Sequence, residues 1–426
     1  MQKKLLDLFA QTELVPAQGC TEPGAVAFAV ASAAKYSEGE LKRILLKMDG
    51  FVYKNGMTTG LPGIENYFGN KVAAALGYFA DKPLQRKLTV LADLEDKLED
   101  ALKILDKIEF EILDEEKPVY VEAVIEADNT VKALIKGKHD DLQYIKTDKE
   151  IFYQNDDNNE KKGEASLIDR SLKKMSVIDM IDLIEKEFSQ EHFQLLEDGY
   201  KLNSLIAEAG RKGTGCGIGN SYRSSKFFNE VNEIAAKAAD GTGARMAGAA
   251  SPALASSGSG NQGIFISLVT YHAAKLFFDD ISDEDIYKAT MLAHMIGHYS
   301  KIYVGRLSAL CGLFYAAAPG VLAALLYLAD ESDKIEAGIN NLISDTSGVY
   351  CDGAKGSCAF KAATAAELAV RHFELMVDGL DCYLPSGFIS RSLDKTFENL
   401  AAISHPDEHT VNNTLFKVVE NNFKEI

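Results

Sequence analysis

The chain has 426 residues, 46% hydrophobic and 25% charged, with 33 Gly, 9 Pro and no Trp; at roughly 150 residues per domain this predicts two to three domains and a sizeable core. Lys and Arg number 45 against 63 Asp and Glu, a formal charge of −18, which repels phosphate backbones and anionic lipid and predicts neither a nucleic-acid nor a membrane partner. Six cysteines are too sparse for a secreted disulfide scaffold. Residues 1–10, broken by Asp7 and without a small-residue cleavage site, read as an amphipathic helix of a cytoplasmic protein.

In chain order, an Ala-rich helix is predicted over residues 25–34. Residues 85–200 carry 30 acidic and 17 basic side chains, 13 of the 18 excess negatives, so the charge is concentrated in the middle of the chain. There a helix is predicted over 95–105. Val- and Ile-rich strands over 119–126 and 130–136 follow, joined by a turn at Ala127, Asp128 and Asn129, then a strand over 142–146 and a polar run over 154–163. This pattern predicts an inserted α+β domain over residues 85–165 within a mainly α catalytic core formed by residues 1–84 and 166–426. Further Ala-rich helices are expected over 229–239, 264–278, 285–296 and 358–373. Residues 307–329 are 23 uncharged residues, long enough to span a bilayer, but Ser308, Cys311, Gly312 and Pro319 suit a buried helix or helix pair in a large core.

Glycine clusters between positions 210 and 263, where 11 of the 33 lie, which indicates tight turns or close backbone approach. Gly258-Ser259-Gly260-Asn261-Gln262-Gly263 lacks the preceding strand and the distant acidic residue of a dinucleotide fingerprint. It precedes a helix whose free N–H groups, with Ser259, Asn261 and Gln262, could hold a carboxylate or phosphate; a plain interhelical turn is the other reading. His294 and His298 stand four apart on a predicted helix without the Glu of a zinc-protease motif, and read as buried, hydrogen-bonded histidines.

The cysteines say more. Cys351 and Cys358 bracket a Gly-containing loop running into a helix that Ser357 is expected to cap, which places Cys358 where the helix dipole favours thiolate. Cys311 lies in the apolar run upstream. Three thiols from a dry region suit a cluster with one open iron, whereas zinc usually recruits a fourth protein ligand; buried structural cysteines are the plain alternative. Around Cys20, Thr21 is the expected N-cap and Pro23 an early helical residue, so the thiol sits at the positive end of a helix, where its pKa is lowered and it can move a proton; packing at a helix start is the alternative. Cys216 and Cys382 are expected to be structural.

The segments Gln18-Gly19-Cys20-Thr21-Glu22-Pro23, Tyr53-Lys54-Asn55-Gly56, Ser257 through Gly263, Leu307 through Gly312, and Cys351-Asp352-Gly353-Ala354-Lys355 through Cys358 resemble the iron-sulfur L-cysteine desulfidases. The catalytic region of those enzymes is related to the α chain of bacterial iron-sulfur L-serine dehydratase. The resemblance runs nearly the whole length. It implies a serine dehydratase α-chain-like fold, a [4Fe-4S] cluster held by Cys311, Cys351 and Cys358, and Cys20 as proton acceptor. The chemistry so implied is that of a carbon–sulfur lyase without pyridoxal, eliminating sulfide from L-cysteine to leave pyruvate and ammonia. Ser259, Asn261 and Gln262, with Asn55 and Lys355 as further candidates, are expected to bind the carboxylate of this small amino-acid substrate. L-Serine dehydration is the nearest alternative, and a non-catalytic iron-sulfur or zinc redox sensor with four protein ligands is the alternative of another class. Self-association into a homo-oligomer stays open.

Overall fold

Two large apolar clusters, with a small third around Ile206, Ala244 and Ile264, organise the described residues, and the chain visits the large ones in the order helical, α/β, helical. The computed structural model describes residues 4–113, 115–155, 167–380, 387, 389–390 and 392–404. The first helix, Leu5–Glu13, buries Leu6, Leu8 and Phe9 among helices that lie far downstream in sequence. The chain then forms a two-residue strand, Pro16–Ala17, paired antiparallel with Ala253–Leu254. That pairing sets the position of Cys20, three residues later, against the 253–263 segment.

Helix Thr21–Ala34 is built of Ala, Val and Phe and is buried on nearly every face, as expected of a helix enclosed within a core. It packs on strands Tyr120–Glu126 and Thr130–Lys136 of a six-stranded sheet. The strand order is Ile108–Ile112, Arg43–Met48, Tyr120–Glu126, Thr130–Lys136, Leu142–Lys146 and Ile151–Gln154. All neighbours are antiparallel except the first pair. Tyr120–Glu126 and Thr130–Lys136 form the expected hairpin, with Glu126 opposite Thr130. The sheet is not confined to residues 85–165, however. Arg43–Met48 alternates half-buried Arg43, Leu45 and Lys47 with buried Ile44, Leu46 and Met48, the period of a half-buried strand, and it pairs between two strands of the expected insert. The α/β unit therefore starts near residue 21, and the boundary at 85 falls inside it. The predicted helix over 95–105 is shorter and irregular, with 3-10 turns flanking Leu98–Leu102. Most of the polar run over 154–163 lies outside the described residues.

The helical unit holds Gln190–Arg211, Glu230–Met246, Gly260–Phe277, Asp283–Val304, Ala318–Leu328 and Cys358–Val377 in mutual contact. Small residues let the backbones approach: a Cβ at Gly320 would lie 2.3 Å from the Ala293 carbonyl. The uncharged run breaks into an extended piece bridging Leu310 to Tyr350, a π-turn at Leu313–Ala317 and the short buried helix Ala318–Leu328. Among the described residues no helix is long and apolar enough to cross a membrane.

Candidate active site

Cys20 itself, not Thr21, occupies the cap position of helix Thr21–Ala34, with extended φ and ψ and no side-chain capping bond. Its thiol is 5% exposed and donates to Glu22 Oε2 at 2.9 Å; Thr21 Oγ1 donates to the same oxygen at 3.1 Å. The other carboxylate oxygen accepts Asn55 Nδ2 at 3.0 Å and lies 3.9 Å from His139 Nε2. The expected low thiol pKa is overturned. Burial, then the Glu22 charge, push Cys20 well above the ordinary thiol range, and Arg245 only partly offsets them. Burial would also raise Glu22, but His139, the Cys20 thiol and Asn55 together hold its carboxyl below the usual range. The proton of this pair thus rests on sulfur and the charge on Glu22.

Asn55 is presented by the short helix Gly50–Gly56, which is fixed by its cap. Asp49 accepts from Phe51 N at 2.8 Å, Val52 N at 3.1 Å and Tyr120 N at 2.7 Å, and burial raises it to about 6. With Nδ2 engaged on Glu22, Asn55 leaves a buried Oδ1 without a partner among the described residues. It therefore offers an acceptor, suited to an ammonium group, where a donor to carboxylate was expected; which amide atom is which follows from the hydrogen-bond pattern. Its neighbour Lys54, 2% exposed, donates to the Cys351 carbonyl at 2.7 Å. Thr58 and Thr59 both donate to the Ala354 carbonyl, at 3.3 and 3.2 Å. These bonds dock the Cys351–Cys358 loop onto the α/β unit.

The backbone of Cys311 donates to Val349 O at 2.9 Å and that of Cys351 to Ala309 O at 2.7 Å, so the two cysteines lie on adjacent extended segments. Cys358 is the first residue of helix Cys358–Val377, as expected, but Ser357 forms no side-chain cap, and burial raises the Cys358 thiol despite the helix start. Burial, then Cys351 and more weakly Cys358, push Cys311 up to about 12. The three thiols thus feel one another. Among the described residues no three His, Cys, Asp or Glu side chains stand close enough together to ligate a single metal ion; thiolates on separate irons of a cluster stand farther apart than ligands of one ion. Cys216, expected to be structural, is exposed and donates to Gly356 O at 3.3 Å, against this same loop. Cys382 lies outside the described residues.

The third wall is the start of helix Gly260–Phe277. Ser259 Oγ accepts from Gln262 N at 3.4 Å as the cap. Asn261 accepts from Arg245 Nη1 at 3.0 Å. The buried Gln262 points at Gly312, where a Cβ would come within 2.0 Å of its Nε2, so the helix start abuts the residue after Cys311. Lys355 is drawn aside into an ion pair with Asp352. Glu22, Lys54 and Arg245 were missed at the level of sequence. Arg245 carried a signal, being the one Asp, Glu, Lys or Arg between positions 241 and 274. His294 and His298 are buried and hydrogen-bonded to Ser256 Oγ and Ser257 Oγ, both at 2.9 Å.

The serine dehydratase alpha chain family matches residues 90–415. The chain belongs to this family. Its curated relatives include a UPF0597 protein of Clostridium perfringens, 32% identical with 96% of each chain covered. Another, of Clostridioides difficile, is 34% identical over 92% of this chain and 94% of its own. A third, of Thermosipho africanus, is 34% identical with the same coverage. As a serine dehydratase alpha-chain relative, the chain is of lyase type. The family match covers Cys311, Cys351, Cys358 and the 257–263 segment, while Cys20 and Asn55 precede it.

Proposed function

We propose that the chain is an iron-sulfur-dependent β-eliminase that converts L-cysteine to pyruvate, ammonia and sulfide. The reading rests above all on one juxtaposition: the Cys20–Glu22 pair and Asn55 adjoin the loop carrying Cys351 and Cys358 through Lys54, Thr58 and Thr59.

The donor set suits a three-thiolate cluster. Two buried or half-buried cations face it without a surplus of acid: Lys54 has no carboxylate within ion-pair distance among the described residues, and Lys361 is raised partly by Cys311 and Cys351. Cys311, Cys351 and Cys358 would hold a [4Fe-4S] cluster, whose open iron supplies a Lewis acid to draw off the β-substituent. Everything else falls to the chain's own groups. The Asn55 carbonyl accepts from the substrate ammonium. The start of helix Gly260–Phe277, with Ser259, Asn261 and Gln262 around it, receives the carboxylate. The Cys20–Glu22 pair acts as a unit, Glu22 taking the thiol proton as the sulfur takes the proton from Cα, so that a thiol of high pKa still serves as acceptor. The released aminoacrylate tautomerises and hydrolyses in water.

L-Serine is the second reading, favoured by the family to which the chain belongs. Anaerobically reconstituted protein is to be offered each amino acid, with pyruvate and sulfide measured. Faster pyruvate release from L-cysteine with equimolar sulfide supports the first reading, faster release from L-serine the second. No turnover of either sinks both.

A further inference from the structure

Among the described residues, three Lys or Arg side chains are buried to 4% exposure or less: Lys54, Arg245 and Lys301. None has a carboxylate within ion-pair distance among the described residues, and an unpaired buried charge is costly. Lys301 has a way out, since burial and Arg306 lower it to about 7, so that it can shed its proton. Lys54 has the Cys351 carbonyl and the face of Phe51, 5.2 Å from the ring centre. Arginine cannot deprotonate. The more exposed Arg223 and Arg306 each hold a carboxylate at 2.7 Å, so Arg245, the most enclosed of the three, is the one without an anion.

Its place is specific. Nη2 donates to the carbonyl of Gly19, beside Cys20, and Nη1 to Asn261 Oδ1, while Nε has no partner among the described residues. A Cβ at Gly260 would lie 2.4 Å from that Nε and 2.5 Å from Cζ, so the first residue of the helix must be small for the guanidinium to lie across the helix start. The Cys20 thiol, next to the Gly19 carbonyl that takes Nη2, keeps its proton for the reasons given above and supplies no anion. What remains is the unpartnered Nε with the second hydrogens of Nη1 and Nη2, beside the free N–H groups at the start of an 18-residue helix, a set of donors suited to a carboxylate.

We infer that Arg245 is the counter-ion of the substrate's α-carboxylate and selects amino acids over the corresponding uncharged amides. The inference rests on the amino-acid reading proposed above, and it requires a binding test separate from turnover. L-Alanine, which has no β leaving group, is titrated calorimetrically into the reconstituted holoprotein, beside L-alaninamide. The expected result is saturable binding of alanine, little of the amide, and affinity for alanine lowered about 10- to 150-fold in Arg245→Gln, the span of a lost charge-assisted hydrogen bond. Arg245→Lys, which keeps the charge and loses the fork, is expected between the two. Equal binding of alanine and alaninamide by the unsubstituted protein overturns the inference, as does no binding of either; both readings stand even if Arg245→Gln fails to fold. Unchanged alanine affinity in a folded Arg245→Gln overturns it too. Turnover of L-cysteine or L-serine with unchanged affinity would leave the reaction standing and remove Arg245 from it; alanine binding that depends on Arg245 without turnover of either would do the reverse.

Discussion

Glu13 is held far below the ordinary carboxylate range. It is 1% exposed at the end of the first helix. Burial alone would raise it, but Arg306 at 2.7 Å, His298 at 3.6 Å and Lys138 at 3.3 Å carry it from an ordinary 4.5 to about 2. At roughly 1.4 kcal/mol per tenfold change in proton affinity, the ionised group contributes about 3 kcal/mol to folding at neutral pH. The folded value is the depressed one, so this stability is complete above pH 4.5 and is lost as the pH falls through 2. Glu13→Gln should therefore be less stable than the unsubstituted chain by about 3 kcal/mol at pH 7 and by only about 1.5 kcal/mol at pH 3. Urea unfolding followed by far-ultraviolet circular dichroism and tyrosine fluorescence at both pH values measures the difference between the two proteins, which removes groups they share. A gap as wide at pH 3 as at pH 7 would refute the assignment of the stabilisation to the ionised carboxylate.

Glu22→Gln removes the acceptor that allows Cys20 to take a proton; amino-acid turnover is expected to fall about 100- to 10,000-fold with the fold retained, measured as pyruvate release beside circular dichroism. After anaerobic reconstitution, Ser at position 311, 351 or 358 should lower iron and acid-labile sulfide per chain, whereas Cys216→Ser should leave both unchanged. Gly312→Ala places its methyl against the end of the flexible Gln262 side chain, so a melting temperature within a few degrees of the parent should accompany a raised KM. In native protein without cluster, iodoacetamide at pH 7.5 should label the exposed Cys216 well before the buried, proton-holding Cys20, as read by peptide mass spectrometry.

Local pattern was legible wherever it was strong. The hairpin of Tyr120–Glu126 and Thr130–Lys136 could be read from Val and Ile content, and the Ala-rich helices appear close to where they were expected, although Glu230–Met246 and Asp283–Val304 run longer. Arg43–Met48 escaped because Arg-Ile-Leu-Leu-Lys-Met also fits one face of a helix, and only its partners, Ile108–Ile112 and Tyr120–Glu126, decide the matter. That strand, with helix Thr21–Ala34 packed on the same sheet, moved the limit of the α/β unit by some sixty residues. At the site, the sequence located Cys20 at a helix start but not its enclosure. A helix dipole favours thiolate by a modest amount, and at 5% exposure beside an ionised Glu22 the desolvation of the thiol outweighs it. Asn55 was legible as a polar residue in a motif; its role as an acceptor required knowing that its donor is occupied by Glu22.

The bond from Lys54 to Cys351 joins residues 297 positions apart, and that from Thr58 to Ala354 joins residues 296 apart. At roughly 5–20 residues per second of synthesis, the α/β unit, whose last strand ends at Gln154, waits on the order of 10–40 s for the loop that docks on it. During that interval Lys54, Thr58 and Thr59 lack the carbonyl acceptors that Cys351 and Ala354 supply. A group held by Cys311, Cys351 and Cys358 together would accordingly be bound only after residue 358 has been made, and a ribosome stalled before residue 351 would leave the side of the α/β unit that carries Lys54 and Thr58 without the loop that docks on it.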